Sequence, residues 1–359
     1  MFKSKIILPL ILLGVLALMG TGVLAQDSGV DFDCSDFQAA AVVHFIGPYT
    51  QQLLDGAAAA AAECGAEITT AGPAAFDSQA QVTMFQDAVS AGADAIVIVA
   101  FPAEFWIRPI DDAVARGVSV STFDVESPAS LESLHTAPKQ KDQGRVMAEA
   151  LSDALGEGAE GTVVSGICLP GLELIEARVT GFKEKMAELQ PGVEIVGPLD
   201  VSFDQTENFA RWNDIVDQNP DALGYIGFCE NDLPSLVRIK EDNPDVTGYI
   251  GSIGINPDGL NGIRDGVALV AVGQKPFMQG YVAMRGMLES LANGEAVPRG
   301  WIDVRPEVVT AENVDAVIAR EESLADGTAE TQAYYQDEID AIFADLSASV
   351  QSFGDLLGD

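Results

Sequence analysis

Polar and aromatic side chains recur just after short apolar runs of this chain. Pro48, Tyr49 and Thr50 follow one run, and Asp124, Val125 and Glu126 follow another. Arg178 stands in Glu176-Ala-Arg-Val-Thr-Gly-Phe182, near a helix start. Phe203-Asp204, Glu230-Asn231-Asp232 and Gln274 each come after a further run. These residue types suit a polyol. Hydroxyls donate and accept at once, so a dry site for them needs carboxylates, amides and a guanidinium fork. The C–H face of a sugar ring is apolar and packs on aromatic rings. In this reading Asp124 accepts from two hydroxyls. Arg178, Asn231 and Gln274 each bridge a pair, and Tyr49 and Phe203 sandwich the ring. Taken singly, each residue has an ordinary role. Asp or Asn after a strand caps a helix, Arg178 is a surface charge, and Phe203 is core. Their joint placement argues for a site.

Catalysis is poorly supplied. Asp124 and Glu126 alternate along an extended segment and point apart, which disfavours the paired carboxylates of a carbohydrate hydrolase. His44 and His135 are the only histidines, and HExxH, GxSxG, Walker and GxGxxG patterns are absent. The expectation is a binding protein, not an enzyme, with no metal or cofactor.

The elements that position these residues follow an alternating rhythm. Strands are predicted at 39–46, 66–70, 94–99 and 118–123, with helices at 50–64, 78–90 and 105–116. Val82, Phe85 and Val89 share one face of the second helix. Near residue 138 the rhythm restarts, with helices near 140–155, 173–189, 206–218 and 233–240. Strands are read there at 162–166, 193–196, 223–228, 247–251 and 269–272. Continuous apolar strands between helices imply parallel sheets covered on both faces. Two such series imply an α/β fold of two Rossmann-like lobes. Ligands in these sheets sit at the carboxyl ends of the strands, where the residues above fall. From about 328 to 357, Tyr335, Ile339, Ile342, Leu346, Val350 and Phe353 recur at helical spacing. That stripe is either a helix packed back on a lobe or a surface for a partner.

Composition sets the compartment. Lys3 and Lys5, the apolar run Ile6 to Leu18, and small Val23 and Ala25 before Gln26 form the three parts of a secretory signal peptide. The run is shorter than the roughly 20 residues a spanning helix needs. No Cys follows it directly, so a soluble exported protein is expected rather than a lipoprotein. Cleavage removes two Lys and no acid, which takes the formal net charge of −36 to about −38. A surface that acidic repels phosphate backbones and disfavours nucleic acid. Asp31, Asp33 and Asp36 lack the Gly and closing Glu of a calcium loop. Cys34, Cys64, Cys168 and Cys229 form no CxxC pair. Cys34 with Cys64, and Cys168 with Cys229, fall at matching strand and helix ends. Two disulfides and four small buried thiols both fit.

The ordered pieces resemble a known family, the type I periplasmic binding proteins, in particular the sugar-binding branch that includes ribose-binding protein. The resemblance runs from about residue 38 to 320. Pro48-Tyr-Thr with Asp55-Gly56, Gly117-Val-Ser-Val-Ser-Thr-Phe-Asp124, Arg178-Val-Thr-Gly-Phe182, Asn231-Asp232, Gln274, Trp301-Ile-Asp303 and Thr310-Ala-Glu-Asn-Val314 carry it. The stretch from Ala71-Gly-Pro73 to Gln81 is also similar to autoinducer-2 and rhamnose-type binding proteins. The resemblance implies that Tyr49, Thr50, Asp124, Arg178, Phe203, Asn231 and Gln274 bind the ligand. It also implies crossovers near 137–138, 274–275 and 303–304, joining lobes of 36–137 with 275–303 and 138–274 with 304–325. Residues 1–25 would be the signal and 326–359 a helical extension. A three-segment hinge restricts motion to opening and closing. The implied partner is an ABC importer permease in the membrane. A chemoreceptor or sensor kinase is the alternative reader of the periplasmic or extracytoplasmic protein. The departures matter too. Gly47 replaces a ligand-contacting Asn, Val125 replaces an Arg, and Gly251-Ser-Ile-Gly-Ile-Asn256 lacks the usual Asp. Glu126, Trp106 or Asn256 would then supply replacement contacts, and the ligand would differ from ribose.

Overall fold

The computed structural model describes residues 30–324 and 329–355. The expected signal peptide lies outside the described residues. The chain opens with β1 (Gln38–Val42), α1 (Pro48–Cys64), β2 (Glu67–Ala71), α2 (Ser78–Ala91), β3 (Ala95–Ile98), α3 (Ala103–Val114), β4 (Ser119–Phe123) and β5 (Leu134–Ala137). It continues through α4 (Gln140–Leu155), β6 (Gly161–Ile167), α5 (Glu173–Leu189), β7 (Val193–Asp200), α6 (Gln205–Gln218), β8 (Gly224–Gly227), α7 (Asp232–Asp242), β9 (Tyr249–Ile253), α8 (Pro257–Arg264) and β10 (Val270–Gly273). After these come α9 (Pro276–Ala292), β11 (Gly300–Asp303), β12 (Glu307–Val309) and α10 (Val314–Leu324). The chain ends in the short helices α11 (Ala329–Tyr334), α12 (Gln336–Phe343) and α13 (Leu346–Ser349).

The strands form two six-stranded sheets, ordered β11-β5-β4-β3-β1-β2 and β12-β10-β9-β8-β6-β7. Pairing is parallel throughout except for β12, which runs antiparallel to β10. The fold is therefore α/β with two Rossmann-like halves. The chain passes between the sheets after β5, after β10 and after β11. Buried runs such as Ala95–Ile98, with no residue exposed, are what a sheet covered by helices on both faces demands.

Close glycine contacts set the helix packing in both halves. Gly56 on α1 lies against the Phe277 carbonyl of α9, and Gly280 on α9 lies against Leu53 of α1. In the second half Gly144 on α4 meets the Arg178 carbonyl of α5, and Gly181 meets Lys141. A Cβ at any of these would fall on backbone, so only glycine lets the helices approach so closely.

The apolar stripe at the carboxyl end is not one helix. It breaks at Tyr335 and again near Asp345, where the Asp345 side chain caps α13. Its face packs in cis. Tyr335, Ile339 and Ile342 are buried in the same core as Phe277, Tyr281 and Ile302. Gln351 adds an antiparallel bridge to Trp301 at the edge of the first sheet. Cys34 is bonded to Cys64 and Cys168 to Cys229. No helix among the described residues is long and apolar enough to cross a membrane.

Candidate functional site

Strand β1 ends at Val42, four residues before the predicted end, because the chain must turn at Gly47 into α1. The Thr50 hydroxyl holds that turn. It donates to the Phe45 carbonyl at 2.7 Å and accepts from the Gly47 amide at 2.9 Å. Thr50 is fully buried. Its hydrogen bonding is spent on the backbone, which corrects the expectation that it touches ligand. Its effect is to aim the neighbouring Tyr49, whose hydroxyl donates to Asp124 Oδ1 at 2.9 Å.

Asp124 follows β4 with φ of 64°, a left-handed conformation that is uncommon outside glycine and concentrates at functional sites. Gln279, one turn into α9, completes the first wall. Its amide donates to the Gln274 carbonyl at 2.8 Å and to the Tyr49 hydroxyl at 3.1 Å. Glu126 stands two residues beyond Asp124, with its carboxylate 3.9 Å from His135 Nε2.

The second wall comes from the other sheet. Arg178 is 5% exposed, and it donates from Nε to Gln140 at 2.8 Å and from Nη1 to the Phe228 carbonyl at 3.2 Å. The close approach of α4 to α5 at Gly144 places both partners. Arg178 and Asp124 interact electrostatically across the gap. Burial raises the Asp124 pKa, and the Tyr49 hydrogen bond and the Arg178 charge oppose that rise. Burial likewise lowers the Arg178 pKa against the pull of Asp124 and Tyr49. Burial, then Asp124, pushes the Tyr49 phenol well above its ordinary value, so it remains a donor. A half-buried carboxylate and phenol converging with a buried guanidinium and buried amides match hydroxyl recognition.

Asn231 opens α7 and donates to the Phe203 carbonyl at 2.6 Å, fixing the loop after β7. The Phe203 ring is 56% exposed on the rim. Beneath them Asp232 is fully buried and accepts from Asn208, Trp212 Nε1 and the Cys229 amide at 2.8, 2.9 and 2.9 Å. Burial still lifts its pKa to about 6. The Cys168–Cys229 disulfide ties the ends of β6 and β8 directly below this wall.

Other expectations are redirected. Trp106 is fully buried, edge-to-face with Phe85 in a core cluster that includes Ile110, so its ring is core rather than ligand surface. Asn256 is a helix cap. It accepts from the Gly259 amide at 2.7 Å and donates to the Glu230 carbonyl at 2.9 Å. Sequence patterns missed Gln140 and Gln279, because a polar residue buried by remote segments carries no local mark. They also missed an apolar wall on the first lobe. His44 meets Phe45, Phe76 and Phe101 edge-on at 4.7, 5.9 and 6.3 Å between ring centres. Burial pulls the His44 pKa down to about 4, so the ring is neutral and apolar in character. The order of aromatic residues after β1, β2 and β3 was the available signal. Among the described residues, no group of three or more metal-ligating side chains gathers.

Comparison with known proteins agrees with this geometry. A periplasmic binding protein domain model matches residues 40–296. The ribose import binding protein of Bacillus subtilis is 25% identical over 225 residues, 62% of this chain and 71% of that protein. An ABC transporter solute-binding protein from Burkholderia graminis, solved in complex with D-arabinose, superposes with a TM-score of 0.69 at 24% identity, covering 78% of this chain and 97% of that one. The XylFII–LytSN complex gives 0.66 at 20% identity, covering 77% and 98%. Matched over most of its length, with its candidate site at the strand ends of two facing sheets, this chain belongs to the periplasmic binding protein family.

Proposed function

We propose that this chain is an extracytoplasmic solute-binding protein that closes about its hinge on a sugar or sugar-like molecule and delivers it to an ABC transporter permease. One observation carries the reading. Asp124 with Tyr49 on one sheet faces Arg178 with Gln140 on the other, so neither lobe holds a complete site. Such a split site favours the closed state only when a ligand adds contacts to both walls. The first 25 residues have the form of an export signal. The likeness to a ribose import protein and to an arabinose-bound neighbour supports the ligand class. The family of binding proteins supports a role without catalysis.

The test is calorimetry and thermal shift of the mature chain against pentoses, hexoses, polyols and amino acids. A ligand at a hundredfold excess over its Kd stabilises by about 2.7 kcal/mol. Stabilisation by a carbohydrate and by no amino acid is the expected result. The reverse would overturn the ligand class, and turnover of a glycoside would overturn the non-enzymatic reading.

A second reading has its own support. The likeness to the XylFII–LytSN complex points to a sensor partner that reads the closed form. Co-purification of a sensor ectodomain, and of no permease, with the ligand-loaded chain would favour it.

A further inference from the structure

Next to the Asp124–Arg178 cluster lies a cavity of about 310 Å³ on the hinge side, lined by residues of both lobes. Tyr49 and Gln274 belong to both places, whereas Asp124 and Arg178 do not line the cavity. Its volume suits a second small ring or a ring substituent. Part of its polar lining is already paired. Lys275 is bonded to Glu338 at 2.6 Å. Arg320 is held by Glu307 and Glu321 at 2.8 and 2.9 Å, and Gln52 donates to Glu321 at 2.6 Å.

Glu230 is not among the paired groups. Its carboxylate has no hydrogen-bond or ion-pair partner among the described residues. Its side chain lies over Gly254, where φ is 111° and a Cβ would stand only 2.6 Å from the Glu230 Cα. Gly254 sits in the segment that lacks the acid expected after β9. The backbone there passes under Glu230, and the carboxylate reaches the cavity from the β8–α7 turn instead. Burial, then the neighbouring Glu321 charge, raises its pKa to about 7. A half-buried carboxylate with no protein donor keeps its acceptor capacity for a ligand.

From this geometry we infer that the cavity is a second subsite, with Glu230 as its polar anchor, for a hydrogen-donating extension of the ligand beyond its first ring. Two sources share that chemistry, the hydroxyls of a second sugar ring and the ammonium of an amino sugar. Rings lie near enough for either. Tyr49 gives an aromatic edge, and Ile255, Leu260 and Ile318 give apolar floor. The inference rests on the sugar-binding reading and specifies the ligand within it.

The experiment is calorimetry on the mature wild-type, Glu230→Gln and Asp124→Asn chains with D-arabinose, xylobiose, cellobiose and D-glucosamine. The wild type should bind at least one of the last three about tenfold or more tighter than D-arabinose, and Glu230→Gln should reduce that ratio by about tenfold. Asp124→Asn should weaken all bound sugars and preserve the ratio. A preference carried by D-glucosamine assigns the ammonium, and one carried by the disaccharides assigns the hydroxyls. If the wild type prefers D-arabinose, or Glu230→Gln leaves the ratio intact, the subsite is overturned while the sugar-binding reading stands. If no carbohydrate binds, both fall together.

Discussion

Asp124 combines a left-handed backbone, a half-buried carboxylate and a phenol donor, and Arg178 faces it from the other lobe. That arrangement predicts a steep response at Arg178. In Arg178→Ala the Asp124 carboxylate faces the ligand without its counter-charge. Truncating one partner of a buried polar set costs about 2–5 kcal/mol, so Kd for the cognate sugar should rise by about thirtyfold or more. Titration calorimetry measures it, and an unchanged Kd would remove Arg178 from the site. Glu230 predicts a trade of stability against binding. Its folded pKa of about 7 lies above the unfolded value near 4.5. The folded state therefore holds a proton that the unfolded state releases between those limits. This contribution to stability is full below pH 4.5 and is lost as pH rises through 7. The groups facing Glu230 across the cavity are Lys275, Arg320, Glu321 and Glu322, and the first two are held in ion pairs. Glu230→Gln removes the titration. Its ligand-free chain should match wild type near pH 4.5 and exceed it by on the order of 2 kcal/mol above pH 8. Urea unfolding at both pH values tests the sign. A gain that is equal at both would separate the effect from ionisation.

At the scale of elements, the glycine contacts tie packing to the site. Gly144 touches the carbonyl of Arg178 itself. Gly144→Ala should therefore destabilise the chain by about 1–3 kcal/mol through overpacking and also weaken sugar binding, because α5 must move with Arg178 on it. Gly181→Ala, against Lys141, should destabilise in the same way. A Gly144→Ala chain of full affinity would show that Arg178 tolerates a shifted helix. The sequence made much of this element pattern legible. Helices at 140–155 and 173–189 match α4 and α5, because each alternates one apolar face with a solvated one. β5 and α9 are among the elements that left no such trace. β5 is four residues long and contains His135 and Thr136, so it lacks an apolar run. α9 is buried nearly all round from Phe277 to Met284, so it shows no one-sided stripe. The site follows the same division. Tyr49, Asp124 and Arg178 were legible because strand ends mark where ligands sit. Gln279 rides on the unrecognised α9. Glu230 was read at its strand end, but its place against the backbone of Gly254, distant in sequence, was not.

At the scale of the molecule, the carboxyl-terminal segment touches both lobes beside the crossovers. On the first lobe Tyr335 stacks on Phe277 with ring centres 6.4 Å apart, and Arg285 lies 4.0 Å over the Phe343 ring. On the second, the Tyr334 hydroxyl donates to Glu307 of β12 at 2.9 Å. Arg320 of α10 sits 4.8 Å from the Tyr334 ring and 5.2 Å from Tyr335. Lys275, at the second crossover, is paired with Glu338 of α12. A segment bonded to both sides of a hinge limits how far the lobes can separate. Deleting residues 329–359 should have two effects. Burial of Tyr335, Ile339 and Ile342 is lost at about 1.5–3 kcal/mol each. A net loss near 4 kcal/mol would lower Tm by about 6 °C in a chain of this size. The ligand-free lobes should also sample wider separations, seen as a broadened distance distribution between spin labels on α3 and α7, while the sugar-loaded distance stays narrow. Arg320→Ala separates the two effects. It leaves the apolar anchor of α12 in place and weakens the link to the second lobe, where the Tyr334–Glu307 bond remains, so it should broaden the ligand-free distribution with a smaller fall in Tm. If the deletion lowers Tm but neither variant widens the distribution, the segment is a cover for the first lobe and not a restraint on opening.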